Sequence, residues 1–301
     1  MHRVSLSTVF AVCLAHQNLT GCSTPSPKYC NEDPAGCPRS VYAMDVPTLQ
    51  RSITRNKVRI LDLRGEAEYA AGHIPGAVRF DSEAVRAVVG GTPGQVAPAK
   101  QITAALAAAG VDDGDSVVLY DGENGPGPAR AMWTLVYYGW SFGRVHVLDG
   151  GYPAWTAAGG AVETETTIRK AQRPVALATP SNARRVDATW VSSHLGDGEV
   201  ALLDARTAEE YAAGHIPGAL HIPWQATRDS TTFLKDDAML ALYGKAFAAP
   251  TIITYCDTGL RSSVLWLTLK MLAHPDVRIY DGSWSEWSAR SDLPKTVGAT
   301  P

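Results

Sequence analysis

Short apolar runs of strand length alternate with helical stretches along most of the chain, and the order of alternation occurs twice. In the first pass Asp45 stands at a helix cap position and "VRILDL" follows as a short buried strand. Glu-Tyr-Ala-Ala then makes one helical turn before a Gly-His-Ile-Pro-Gly turn. A second helix, the β-branched strand "SVVLY", a long helix, the strand "VHVL" and an Asp-Gly turn complete the pass. The second pass opens at Asp187 and runs through "VALLDA", the same turn, "TIITY", the helix "SSVLWLTLK" and "VRIY". Strands separated by helices predict parallel pairing, because each crossover needs a helix-long connection, and a sheet covered on both faces.

The two passes are copies of one unit. The segment from Asp45 aligns without a gap on the segment from Asp187, at an offset of 142 residues, and "EYAAGHIPGA" is identical in both. Later segments match at offsets of 135 and 132, so small loop deletions separate the copies. A copy of roughly 110 residues has the size of one small domain. The expected class is α/β, with two tandem domains, each a small parallel sheet flanked by helices. The first spans 41–160, the second 187–293, and the linker 161–186 mixes Thr, Pro and charge without a sustained period.

Composition agrees with this: 301 residues, 45% hydrophobic and 19% charged, leave room for two ordinary domains. A formal charge of -3 with no polybasic cluster supplies no field for nucleic acid. The N-terminus reads differently. Met1-His2-Arg3 precedes the apolar "VSLSTVFAVCLA", and "LTGCS" follows, which resembles a bacterial lipobox ending at Cys22. Residues 1–22 are therefore expected as a signal peptide of possible lipoprotein type. That implies export, with a periplasmic or membrane-tethered location and a lipid anchor at Cys22, or a cytoplasmic location if the segment is no signal. With Cys13 in that segment, Cys30 and Cys37 are free to pair across a Pro- and Gly-containing turn, or to form a zinc half-site. Cys256 is left as a single thiol.

Cys256 stands where "TIITY" ends and a turn containing Gly259 and Arg261 leads into a helix. In a parallel α/β domain that loop lies at the carboxyl end of the sheet, where ligands bind. Loop and first-turn N–H groups converge there, so a thiolate is stabilised and nucleophilic at neutral pH. Gly259 permits the tight curl, and Thr258, Arg261, Ser262 and Ser263 are candidate donors to an anionic substrate.

Taken together, "LLDAR" with "EYAAGHIPGA", then "YCDTGLRSS" and "IYDGSWSEW", resemble the rhodanese-type sulfurtransferases over roughly residues 45–293. The duplication resembles the two-domain members, in which only the C-terminal copy keeps the catalytic cysteine. Here the first copy has Asp121 in that place, within the longer loop "DGENGPGPAR". The resemblance implies that Cys256 attacks the outer sulfur of a small anionic donor, thiosulfate or 3-mercaptopyruvate. From thiosulfate it would expel sulfite, become a persulfide and pass the sulfur to cyanide or a thiol acceptor, with no cofactor. It implies that Asp257, Thr258, Gly259, Leu260, Arg261 and Ser262 bind the donor and that Arg206 reaches toward it. "CDTGLR" shares Thr-Gly with the 3-mercaptopyruvate users and an arginine with the thiosulfate users, and Asp257 fits neither pattern.

Other readings stand beside this one. A phosphatase or arsenate reductase loop places five residues between Cys and Arg, whereas four separate Cys256 from Arg261. A non-catalytic persulfide carrier stays open. The duplicate acts as an internal control: features shared by both copies serve the fold. His73 and His215 share one turn and read as structural. Arg206 has a counterpart in Arg64, so pairing with a carboxylate such as Glu210 competes with substrate contact. Asp62 and Asp204 read as strand-end carboxylates, and Trp155, Trp284 and Trp287 as packing.

Overall fold

The structure, a computed structural model, describes residues 39–55, 58–180 and 182–301. The expected signal segment, Cys22, Cys30 and Cys37 lie outside the described residues. The first copy contains β1 (Ala43–Met44), α1 (Val46–Thr54), β2 (Val58–Asp62), α2 (Glu66–Ala71), β3 (Ala77–Arg79), β4 (Arg86–Val89) and β5 (Thr92–Val96). It continues with α3 (Ala99–Ala108), β6 (Ser116–Tyr120), α4 (Pro126–Tyr137), β7 (Val145–Leu148) and α5 (Gly151–Ala157). The second repeats it as β8 (Arg185–Val186), α6 (Ala188–Ser193), β9 (Val200–Asp204), α7 (Ala208–Ala213) and β10 (Leu220–His221). Then come α8 (Asp236–Tyr243), β11 (Thr251–Tyr255), α9 (Ser262–Met271), β12 (Asp276–Tyr280) and α10 (Ser283–Ala289). Each copy forms a five-stranded parallel sheet, ordered β1-β7-β6-β2-β3 and β8-β12-β11-β9-β10.

Local chemistry starts these elements as expected. Asp45 and Asp187 accept from the main-chain N–H of Thr48 and Trp190, each at 2.8 Å, and so cap α1 and α6. The central strands β6 and β11 are flanked by sheet on both sides, and their last four residues are buried in each case. The helices that follow them are buried around their whole circumference, from Pro128 in α4 and from Ser262 in α9. Such a helix needs cover on every side. Each finds it between its own sheet and the other copy's helix, so Met132, Trp133, Val264 and Trp266 belong to one continuous core.

The shared turns are structural, as the duplication indicated. His73 and His215 each set Nδ1 2.9 Å from a tyrosine carbonyl, of Tyr69 and Tyr211, and stack on that ring at 3.8 Å. Each pairs with a trailing segment of its own copy, His73 with Glu163 and His215 with Thr296. The linker thus packs on the first copy, where Asp112 also accepts from the main chain of Gln172 and Arg173 at 2.6 Å. Its last two residues form β8, the edge of the second sheet, so the second domain starts at Arg185 rather than at 187. Its tail likewise extends past 293 to Thr296.

One element has no counterpart in the hydrophobic pattern: the antiparallel hairpin β4–β5. Its turn, Gly90-Gly91, takes positive φ at both residues (59° and 86°), which glycine allows without strain. β4 has no buried residue, and β5 buries only its last three, Gly94 to Val96, with the Val96 N–H reaching the second copy, so no local alternation marks the pair. The shorter segment Arg228–Phe233 crosses in the opposite direction. Val96 N–H donates to Asp281 at 2.8 Å, and Phe233 N–H donates to Asp149 at 2.9 Å. Asp149 and Asp281 are the aspartates of the two Asp-Gly turns, so the copies clasp each other reciprocally.

Across this interface lies a buried ion pair. Arg130 of α4 and Asp281 approach to 2.7 Å with both side chains fully buried. Arg185 adds a second cation at 3.2 Å from Asp281. Removing one partner strands a buried charge, which typically costs about 3–5 kcal/mol. Arg130→Met should therefore lower stability by about that amount, read from the urea midpoint, whereas Arg290→Ala, at the exposed Arg290–Asp292 pair, should change it by less than about 1 kcal/mol.

Candidate active site

Cys256 directly follows β11 and is fully buried, the free cysteine among the described residues. Residues 257–261 curl from it into α9. Gly259 sits at φ 76°, and a Cβ there would meet Asp281 Oδ1 at 2.9 Å and Arg130 Nη1 at 3.0 Å. The curl and the contact both require glycine. The segment opening α10 pins the loop from below: Trp284 N–H donates to Cys256 O at 2.9 Å and Ser285 N–H to Asp257 O at 3.0 Å. Cys256 N–H donates to Ser283 Oγ at 3.3 Å.

Among the described residues, the main-chain N–H groups of 257–261 have no acceptor. The first copy shows what such a loop accepts. There the Asp121 carboxylate turns into its own loop and takes the N–H of Gly125 at 2.9 and 3.0 Å and that of Glu123 at 3.1 Å. Burial pushes the Asp121 carboxyl above its usual range, against these hydrogen bonds. The equivalent N–H groups beside the thiol have no such acceptor among the described residues, which leaves them available to an anion.

The other candidate residues divide. Thr258 is half-buried and its Oγ1 accepts from Arg86 Nη2 at 3.1 Å. Leu260 is half-buried and contributes main chain. Asp257 is half-buried and accepts from Ser285 Oγ at 3.3 Å. Arg261 is bound at both Nη atoms by Glu210, at 2.6 and 2.7 Å. The hydrogen bonds that Arg261 donates to Glu210 hold it firmly charged, with burial opposing and the field of Cys256 and Asp257 assisting. Ser262 departs from its expected role: its hydroxyl, like that of Ser263, donates to Gly259 O, at 3.1 and 3.0 Å. These hydroxyls shape the curl.

Arg206 also differs from expectation. It is buried, and its Nη2 donates to Asp204 at 2.6 Å and to Gly214 O at 2.7 Å. Arg64 repeats both bonds, to Asp62 and Gly72 O, at the same distances in the copy without a thiol. The contacts of Arg206 are thus those of a fold residue, and its partner is Asp204 rather than Glu210. Two arginines of the first copy reach the loop instead, Arg86 at Thr258 and Arg130, whose Nη1 donates to Gly259 O at 3.2 Å. Comparison of the copies offers a signal for Arg130. It interrupts an otherwise apolar helix where the thiol-bearing copy has Ser263.

The Rhodanese-like domain model matches residues 45–158 and 187–290. The chain belongs to the rhodanese family. This rhodanese is 33% identical over 250 residues to a thiosulfate sulfurtransferase of Pseudomonas aeruginosa, covering 79% of this chain and 90% of that one. It is 32% identical over 247 residues to a 3-mercaptopyruvate sulfurtransferase of Escherichia coli, covering 75% and 84%. The crystal structure of the 3-mercaptopyruvate sulfurtransferase SseA from Escherichia coli superposes with a TM-score of 0.72 at 28% identity, covering 81% of this chain and 98% of that one.

Hydrogen bonds from Arg261 hold the Glu210 carboxyl at about 2, below its ordinary 4.5, with burial opposing and the Thr207 main chain assisting. A carboxyl held low in the folded state contributes stability above its unfolded value and loses it as pH falls through the folded value. The window is thus about pH 4.5 down to about 2. The Glu210 side chain is 37% exposed, so screening reduces the contribution to about 1 kcal/mol or less. Glu210→Gln should destabilise the protein by that amount at pH 6, and the difference in urea midpoint should vanish toward pH 2.

Proposed function

We propose that the protein is a sulfurtransferase that takes the outer sulfur of thiosulfate as a persulfide on Cys256 and hands it to cyanide or a thiol. The observation that carries this reading is the open N–H cradle beside Cys256, set against an equivalent cradle that Asp121 fills in the first copy. The relative named a thiosulfate sulfurtransferase supports the donor. In the first half-reaction the Cys256 thiolate attacks the outer sulfur, the S–S bond of thiosulfate breaks and its electron pair leaves with sulfite. A persulfide anion replaces the thiolate, so charge balances, and the cradle stabilises it. Cyanide then removes the outer sulfur as thiocyanate and restores the thiolate.

A second reading, 3-mercaptopyruvate as donor, is favoured by the pairing of Arg261 with Glu210 and by the adjacent Asp257, which lower the positive charge available to a dianion. We also propose, from the residues before Cys22 alone, export with an acyl anchor on Cys22.

Cys256→Ser should abolish thiocyanate formation, and intact mass after thiosulfate should show one added sulfur on the parent and none on the variant. The same spectrum of protein recovered from cells reads whether residues 1–21 have been removed. Adding Asp121→Cys to Cys256→Ser should not restore activity, since the first loop has a different length. Restored turnover would show the two cradles to be interchangeable.

Asp257 adds a separate expectation. At an effective dielectric near 20, a unit charge about 6 Å away is worth about 2–3 kcal/mol before screening. Asp257→Asn should raise kcat/KM for thiosulfate by at least about tenfold and for monoanionic mercaptopyruvate by less. The gap should narrow as salt is added. Equal values for both donors in parent and variant would remove Asp257 from donor choice.

A further inference from the structure

The crossing segments of the two copies place arginines at equivalent positions, Arg86 and Arg228, 142 residues apart. The loop residues they meet, Thr258 and Glu123, are also equivalent, 135 apart. At the loop without a thiol, Arg228 meets a carboxylate: Nη2 lies 3.0 Å from Glu123 Oε2, and Nη1 bonds to Glu123 O. At the Cys256 loop, Arg86 meets only a hydroxyl, with Nη2 donating to Thr258 Oγ1 at 3.1 Å. Its Nε is buried and has no acceptor among the described residues. The carboxylate that does pair with Arg86 is Glu83, on the far Nη1, and its side chain is 65% exposed. An exposed pair of that kind neutralises little.

The remaining guanidiniums at the loop are matched more closely. Arg261 is held at both Nη atoms by Glu210, and Arg130 by fully buried Asp281. Arg130 Nε is likewise buried without an acceptor among the described residues, but its charge is met by a buried acid. Arg86 therefore brings to the thiol's loop the cation least matched by a carboxylate, whereas the same cation at the Asp121 loop meets an acid. An unsatisfied buried N–H beside an open anion cradle is a costly arrangement unless a ligand completes it.

We infer that Arg86, supplied by the copy without the thiol, is a specificity-determining residue of the Cys256 site that holds the anionic leaving group of the sulfur donor. The inference rests on the sulfurtransferase reading. On thiosulfate the group held is the sulfonate end, which departs as sulfite with the electron pair of the broken S–S bond. That electron pair adds a negative charge to the end that Arg86 holds, so Arg86 acts both on affinity for the dianion and on the bond-breaking step.

The test compares thiosulfate, a dianion, with benzenethiosulfonate, a monoanion that offers the same outer sulfur, both with cyanide as acceptor. For Arg86→Gln, kcat/KM for thiosulfate should fall at least about tenfold, through both KM and kcat, and for the monoanion by less than about threefold. Arg86→Lys should recover most of the thiosulfate loss. Equal losses for both donors, together with a lowered urea midpoint, would make Arg86 a structural support of the hairpin and overturn the inference, as would unchanged kinetics. Calorimetric binding of thiosulfate to Cys256→Ser, with and without Arg86→Gln, keeps the two readings apart. If the parent turns over neither donor but binding weakens at least about tenfold with Arg86→Gln, the sulfurtransferase reading fails and the anion contact stands. Unchanged binding overturns the anion contact whatever the turnover.

Discussion

The buried pair of Arg130 with Asp281 is the contact on which the arrangement of the rest depends. Neither charge is exposed, so each must be satisfied by protein, and the groups that satisfy them come from both copies. Asp281 takes Arg130, Arg185 and the Val96 N–H. Arg130 in turn donates to Gly259 O in the thiol's loop and to Gly94 O in the hairpin. Hairpin, loop and helix are therefore tied to one charge cluster. The close approach explains why position 259 has no side chain: a Cβ would lie within about 3 Å of both charged groups.

Duplication made this possible by providing each contact twice and letting one version change. Asp149 and Asp281 each receive a main-chain N–H from the opposite copy. Around Asp281 the free valence is filled by a buried arginine, around Asp149 by Asn124 at 3.1 Å and by Arg39 at 3.5 Å. The two loops diverge in the same way. One holds an acid that satisfies its own amides, and the other holds a thiol and leaves its amides open. The loop filled by its own carboxylate is complete and needs nothing from outside, which frees that copy to act as a scaffold for the other.

Much of this was legible in the chain, and the limits have a physical cause. Caps, strands and the histidine turns depend on neighbours close in sequence, so Asp45, "TIITY" and Gly-His-Ile-Pro-Gly declare themselves. The thiol and its curl were legible for the same reason. Arg206, Ser262 and the hairpin were not. Arg206 pairs with Asp204 two residues away, as Arg64 does with Asp62, but Glu210, four residues away, is an equally near acid in sequence, so the partner is fixed only by the fold. Ser262 reads as a donor to a ligand because the carbonyl it serves, Gly259 O, is exposed to it only by the curl. The hairpin and Arg86 bury themselves against residues far along the chain, 172 positions from Arg86 to Thr258, where no local period reports the contact.

Charge balance at the loop bears on why, in the proposed reaction, amides rather than a strong positive field would carry the chemistry. Arg261 and Arg130 are each matched by a carboxylate, and Asp257 adds a further negative charge. On the proposed reaction the bound donor and the departing sulfite are both dianions, so a uniform positive field would hold both alike and slow release without accelerating the step. What differs along the reaction is the position of charge: it leaves the cysteine sulfur and appears on the departing sulfite, while the transferred sulfur carries its own charge into the cradle as the persulfide. Fixed N–H groups at contact distance respond to that displacement, whereas distant cations do not. Matching the nearby guanidiniums therefore removes the part of the field that cannot discriminate and leaves the directional part, the contacts made at the atoms where charge is lost and gained.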